Sequence, residues 1–126
     1  MSIERVKKYF KRFGISGRIK ELDSSSATVE LAAQALNCEP ERIAKTLAFN
    51  VNEQIVLIVT AGDAKIDNHK YKTVFGLKAK MLSPEMVENL VGHAVGGVCP
   101  FGINENIAVY LDVSLKRFKT VFPACG

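Results

Sequence analysis

The stretch that decides the fold is I-A-K-T-L-A-F-N-V, Ile43 to Val51, followed by N-E and then by Q-I-V-L-I-V-T-A, Gln54 to Ala61. The first run alternates in the way a strand with two different faces does. Asn52 and Glu53 interrupt it and turn the chain. The second run is nearly all apolar, as a central strand covered on both faces should be. The pair predicts a hairpin at the heart of a sheet.

Working outward, Ile3, Val6, Tyr9, Phe10 and Phe13 fall on one face of an N-terminal helix that Gly14 stops. Its other face carries Arg5, Lys7, Lys8, Lys11 and Arg12. Arg18 to Leu22 reads as a short strand. Ser24, Ser25 and Ser26 offer caps for a helix from about Thr28 to Leu36. Asp67 caps a short helix through Val74, which Gly76 ends. Lys78 to Leu82 reads as a strand, and Ser83-Pro84 opens a helix to Leu90 that Gly92 closes. Ile107 to Leu111 is a further strand, Ser114 to Phe118 a helical turn, and Thr120 to Phe122 a last strand. Strands and helices alternate irregularly around a hairpin. The expected class is mixed α/β, a mixed sheet or part-open barrel flanked by helices.

The 126 residues fit a single domain, and no repeat or linker divides them. No apolar run is long enough to span a bilayer, and the charged start M-S-I-E-R-V-K-K lacks the apolar centre of a secretory signal. Cys38, Cys99 and Cys125 are an odd set without C-x-x-C spacing, which points to a reducing, cytoplasmic setting. His69 and His93 do not cluster with cysteines, so no zinc pattern appears and both read as surface residues. The net charge of +4 is compatible with nucleic acid without establishing it. The lysines and arginine at 7, 8, 11 and 12 would meet a polyanion such as tRNA if that face binds one.

Two features carry chemistry. Alternation places Lys45 on the same face as Ile43, Leu47 and Phe49, an apolar register for an ammonium. Such a group must snorkel out, pair, or point into a polar pocket. The second feature is the loop V-G-G-V-C-P-F-G, Val95 to Gly102. Its glycines allow backbone amides to approach a ligand, and Pro100 stiffens the turn. It can serve as an ordinary tight connection or present amides to a carbonyl oxygen or phosphate. A lysine and an amide loop in one pocket would hold an anionic or carbonyl oxygen.

Lys45-Thr46 before the hairpin, the A-G-D-A-K-I-D stretch from Ala61, the G-G-V-C-P-F-G loop and the Y-L-D-V-S segment from Tyr110 follow one another in an order that resembles the YbaK/EbsC family of prolyl-tRNA-synthetase-associated editing domains. The resemblance implies a domain that hydrolyses mischarged aminoacyl-tRNA, cysteinyl- or alanyl-tRNA for proline, without a cofactor. It implies the aminoacyl-tRNA acceptor end as substrate and prolyl-tRNA synthetase as partner. The family's site lysine falls on Lys45 and its G-x-x-x-P loop on Gly96 to Pro100. Family members continue with a further strand and helix, and a serine near their terminal S-x-G is replaced around Ala124.

The candidate catalytic residues are Lys45 and Gly97, whose amide would stabilise an oxyanion. Candidate substrate-binding residues are Thr46, Gly96, Val98, Cys99, Pro100 and Asp112. Thr46 offers a hydroxyl or is simply a β-former, and Asp112 lines the site or caps a turn, with the cap preferred. No Ser-His-Asp order is present, and neither histidine has an evident reason to lie near Cys99. Resemblance to the family therefore favours substrate assistance by a ribose hydroxyl or a cysteinyl thiol. The alternative is a non-catalytic module that binds an aminoacyl or nucleotide end beside a synthetase.

Overall fold

In the computed structural model, which describes residues 2–126, the hairpin forms where the sequence places it. Strand β1 (Ile43–Val51) pairs antiparallel with β2 (Gln54–Ala61), from Ala44 opposite Ala61 to Val51 opposite Gln54. Asn52 and Glu53 both adopt positive φ, 50° and 67°, which a two-residue turn with the twist of its strands requires. Asparagine tolerates this conformation; glutamate accepts it because burial of both strands fixes the register.

Strand β3 (Ala108–Leu111) adds parallel to β2, and the short β4 (Phe122–Pro123) adds parallel to β1. The order β3-β2-β1-β4 makes a curled mixed sheet, and the protein is a mixed α/β fold flanked by helices α1 (Ser2–Lys11), α2 (Val29–Leu36), α3 (Asn68–Phe75) and α4 (Pro84–Val91).

The helix ends follow capping chemistry. Asp67 accepts from the Lys70 amide at 3.0 Å and Ser83 from the Met86 amide at 3.4 Å. The cap of α2 falls on Thr28, which accepts from Leu31, rather than on the serines before it. Ser25 instead accepts from the amide of Ala27, a local turn that delays the helix.

Two expected strands are absent. Arg18 to Leu22 lies beside no other strand, because the neighbouring chain is α1 on one side and an open cavity on the other. Its side chains still alternate: Ile19 and Glu21 face the α1 lysines, while Arg18, Lys20 and Leu22 face the cavity. Lys78 to Leu82 contributes only a bridge, Met81 opposite Phe49. Asn50 donates to the Lys80 carbonyl at 2.9 Å and Leu82 to the Ala48 carbonyl at 3.0 Å. Ser83-Pro84 then starts α4 and ends the pairing.

Ala48 and Leu57 pack with Leu82, Val87 and Val91, which seats α4 on the sheet. Phe49 meets Tyr71 of α3, whose ring lies tilted against Phe75, which in turn meets Tyr110 edge-on. A separate cluster joins Val6 and Phe10 of α1 to Cys99. No helix among the described residues is long and apolar enough to cross a membrane.

Candidate active site

The outer edge of β1 is only partly covered. β4 pairs with it at Ile43 and Ala44, and the Met81 bridge pairs with it at Phe49. Between them, around Thr46, the edge carries no strand among the described residues. A cavity of about 1060 Å³ opens there, mostly apolar, walled by α2 through Val29, Ala32 and Leu36 and by Leu82, Val87 and Val98.

Lys45 lines this cavity, and so do Thr46, Gly96 and Val98, although the lysine and the loop lie far apart in the sequence. The Lys45 ammonium lies 3.5 Å from the Gly62 carbonyl at the end of β2, half-buried. One carbonyl is an incomplete set of acceptors for an ammonium with three donors. The Thr46 hydroxyl oxygen is buried without a hydrogen-bond partner among the described residues, an uncompensated polar group beside the open edge. Gly96 takes a φ of +94°, and among the described residues the amides of Gly96 and Val98 have no partner.

The other expected site residues sit elsewhere. The Gly97 amide is engaged: it donates to the Ala94 carbonyl at 2.9 Å. Pro100 and Cys99 do not line the cavity. Asp112 caps the 3-10 turn Val113–Arg117 by accepting from the Ser114 amide at 3.0 Å, and hydrogen bonding to the Ser114 side chain, then to its amide, lowers the Asp112 pKa. Ser114 in turn accepts from the Ala61 amide, so this turn fastens the end of β2. Asp63, beside Gly62, holds a bidentate pair with Arg117 that lowers its own pKa.

His93 is a correction. It is fully buried rather than on the surface, and it does lie near Cys99, 3.5 Å from the sulfur. The reason is the fold of the 92–104 loop, which turns Phe101 back over the imidazole. Nε2 is 2.6 Å from the Phe101 carbonyl, so this nitrogen donates, and Nδ1 is left buried without a partner among the described residues. Burial lowers the His93 pKa, and the charge of Arg5 lowers it further. Burial pushes the Cys99 thiol up to about 12. A protonated thiol beside a nitrogen that already donates is a packed pair, not a nucleophile and its base.

On α1, Lys7, Lys8 and Lys11 line a surface cleft with Ser16, Ile19 and Glu21, and Lys7 pairs with Glu21. Arg12 stacks over the rings of Tyr9 and Phe13. Arg5, counted with the basic face in the sequence, stays exposed and reaches across the surface to the base of the loop. Sequence reasoning also missed Arg18 and Lys20, two cations on the cavity rim, and Phe10 and Phe101 on its wall. Their signal was the period-two alternation of Arg18 to Leu22, read as pairing rather than as a divider.

The chain is thus a small mixed α/β domain with a partly uncovered strand β1 and a mostly apolar cavity lined by Lys45, Gly96 and Val98. The profile of the aminoacyl-tRNA editing domain family matches residues 23–126, and the chain belongs to that family. The uncharacterized protein YwhH of Bacillus subtilis (strain 168) is 53% identical over the whole chain, which spans 81% of that relative. The proline–tRNA ligase of Bacillus cytotoxicus is 34% identical over 78% of the chain, which spans only 17% of the ligase. Among solved structures, a candidate trans-editing enzyme for prolyl tRNA synthetase superposes with a TM-score of 0.83 at 34% identity, covering 95% of this chain and 77% of that one. The hypothetical protein APE2540 superposes at 0.88 and 28% identity, covering 97% and 82%.

Proposed function

We propose that this chain is a cytoplasmic deacylase acting in trans on mischarged tRNA for proline, with cysteinyl or alanyl esters as its substrates and prolyl-tRNA synthetase as its partner. The observation that carries the reading is the convergence of Lys45 and the Gly96–Val98 segment on one cavity. The names of its relatives support the tRNA and the amino acid.

An aminoacyl ester is already activated, so the site needs to polarise the carbonyl, hold the adenosine end and admit a nucleophile. The unpartnered amides of Gly96 and Val98 would receive the developing oxyanion, in place of the engaged Gly97 amide. Lys45 would hold the terminal phosphate or ribose oxygen, and Arg18 and Lys20 would hold phosphates at the rim. The Thr46 hydroxyl would gain its missing hydrogen bond from the ligand. With Cys99 protonated and buried, the nucleophile is water aided by a ribose hydroxyl, or the thiol of a cysteinyl substrate. In either case the ester C–O bond breaks and the tRNA oxygen leaves with a proton.

The deciding experiment incubates the purified chain with tRNA for proline charged separately with cysteine, alanine and proline. Faster loss of the cysteinyl or alanyl ester than in buffer, with the prolyl ester spared, is expected. Tight binding with no ester loss on any of the three would make the chain a binding module instead.

A further inference from the structure

We propose that Arg5 is a positioning residue for the 93–103 loop, closing a clasp with Asn104 across the loop's base. The inference rests on the reading of Gly96 and Val98 as the acyl-binding edge of the cavity.

The last carbonyls of a helix have no partner within it. At the end of α4 the Gly92 amide meets the Glu88 carbonyl at 3.1 Å, and the carbonyls that follow are met by two residues from elsewhere in the chain. The Asn104 side-chain amide donates to the carbonyls of Asn89 at 3.2 Å and Leu90 at 3.0 Å, and its main-chain amide donates to Val91 at 3.0 Å. Arg5 donates to the Gly92 carbonyl at 3.2 Å and to the Asn104 side-chain oxygen at 3.0 Å. One guanidinium therefore bridges the residue where the loop leaves α4 and the residue where it returns. Its positive charge also sits at the negative end of the α4 dipole.

The loop closed by this clasp is the one that carries Gly96 and Val98 to the cavity. Phe10 of α1 meets Phe101 of the loop edge-on, with centroids 4.8 Å apart, and both rings line the same cavity. α1 precedes the region that the family profile matches, so the clasp ties a segment outside the matched domain to the site within it. Lysine is a poor substitute, since a single ammonium lacks the planar fork that spans both acceptors.

The test uses the full chain and the variants Arg5→Ala, Arg5→Lys, Asn104→Ala and the double alanine variant. Amide hydrogen exchange is read by peptide alongside deacylation kinetics. In Arg5→Ala, exchange at the hydrogen-bonded loop amides of Gly97 and Asn104 should rise by about ten-fold or more while the β1 and β2 amides keep their protection. Arg5→Lys should fall between wild type and alanine. The double variant should be no worse than the more damaging single one, as expected of residues that act as a unit. Deacylation by Arg5→Ala should lose kcat with KM nearly unchanged, since a displaced loop misplaces the oxyanion amides. Unchanged loop exchange, or exchange raised equally in β1 and β2, overturns the clasp. If the wild type proves inactive, the exchange arm still decides the clasp while the deacylase reading fails alone.

Discussion

Gly126 donates its amide to the Gly97 carbonyl at 3.1 Å, and a side-chain carbon built on Gly97 would lie 2.4 Å from the Gly126 carbonyl carbon. The missing side chain of Gly97 thus admits another stretch of main chain, not a ligand. This contact ties the cavity loop to the segment that follows β4, so both sides of the cavity mouth are held together. Gly97→Ala should push them apart. Overpacking against main chain costs about 1–3 kcal/mol, and a lower melting temperature by calorimetry is the expected result. A variant that melts with the wild type would mean that the contact yields without cost.

Lys45→Ala removes the ammonium nearest the open edge of β1. Deacylation should fall at least about ten-fold, or roughly 1.4 kcal/mol of transition-state stabilisation. Folding should survive, because the ammonium stands to lose the Gly62 carbonyl, at 3.5 Å, and an attraction to the exposed Asp63 that solvent screens. Full turnover in a folded variant would remove Lys45 from the reaction.

Much of this arrangement is legible in the sequence, and the division has a physical cause. The hairpin is read from alternation and a turn, and the caps at Asp67 and Ser83 from local chemistry, because each depends on residues within a few positions. The apolar register of Lys45 is likewise a property of its own strand. The burial of His93, the reach of Arg5 to the loop base and the packing of Gly97 depend on partners elsewhere in the chain: Phe101, Asn104 and Gly126. Nothing near Arg5 distinguishes it from Lys8, because the difference is which face of α1 the 92–104 loop covers. The segment from Arg18 to Leu22 alternates as a strand does, but no neighbour comes to pair with it.

The buried thiol of Cys99 should behave as an inert packing group. Native protein should resist alkylation at Cys99 at neutral pH, and Cys99→Ser should retain deacylation. Because its folded pKa, about 12, lies above the ordinary value of 9.0, the unfolded chain loses this proton first. Its contribution to stability is complete below pH 9 and is lost as pH rises from there towards about 12. An acyl adduct trapped on Cys99 would reverse the assignment.

His93 gives the opposite sign. Its pKa is lowered by burial, so the unfolded chain takes up a proton below the ordinary value of 6.5 while the folded chain does not. Stability should therefore fall as pH drops below about 6.5, until the folded pKa is passed. Melting temperatures of wild type and His93→Gln between pH 7 and pH 5 test this. The wild type should lose stability across the interval and the glutamine variant much less. Parallel curves would show that the imidazole does not set the acid limb.

The final prediction concerns the grip on tRNA. Lys7, Lys8 and Lys11 share a cleft with Ile19 and Glu21, and the opposite side of that same segment presents Arg18 and Lys20 to the cavity. A backbone entering the cavity over this divider would pass the α1 cations on its way. Contacts of this kind add affinity without reading sequence, and each neutralised phosphate releases counterions. Lys7 contributes least, since its exposed pair with Glu21 must open first, at a cost that exposed pairs keep small. Replacing Lys7, Lys8, Lys11 and Arg12 with glutamine should raise KM several-fold and flatten its dependence on salt. It should leave kcat largely intact, because these residues lie outside the cavity proposed to hold the ester. Turnover against tRNA concentration at two salt levels measures both effects. Identical salt slopes for the two proteins would leave α1 with its clasp on the loop and no part in binding tRNA.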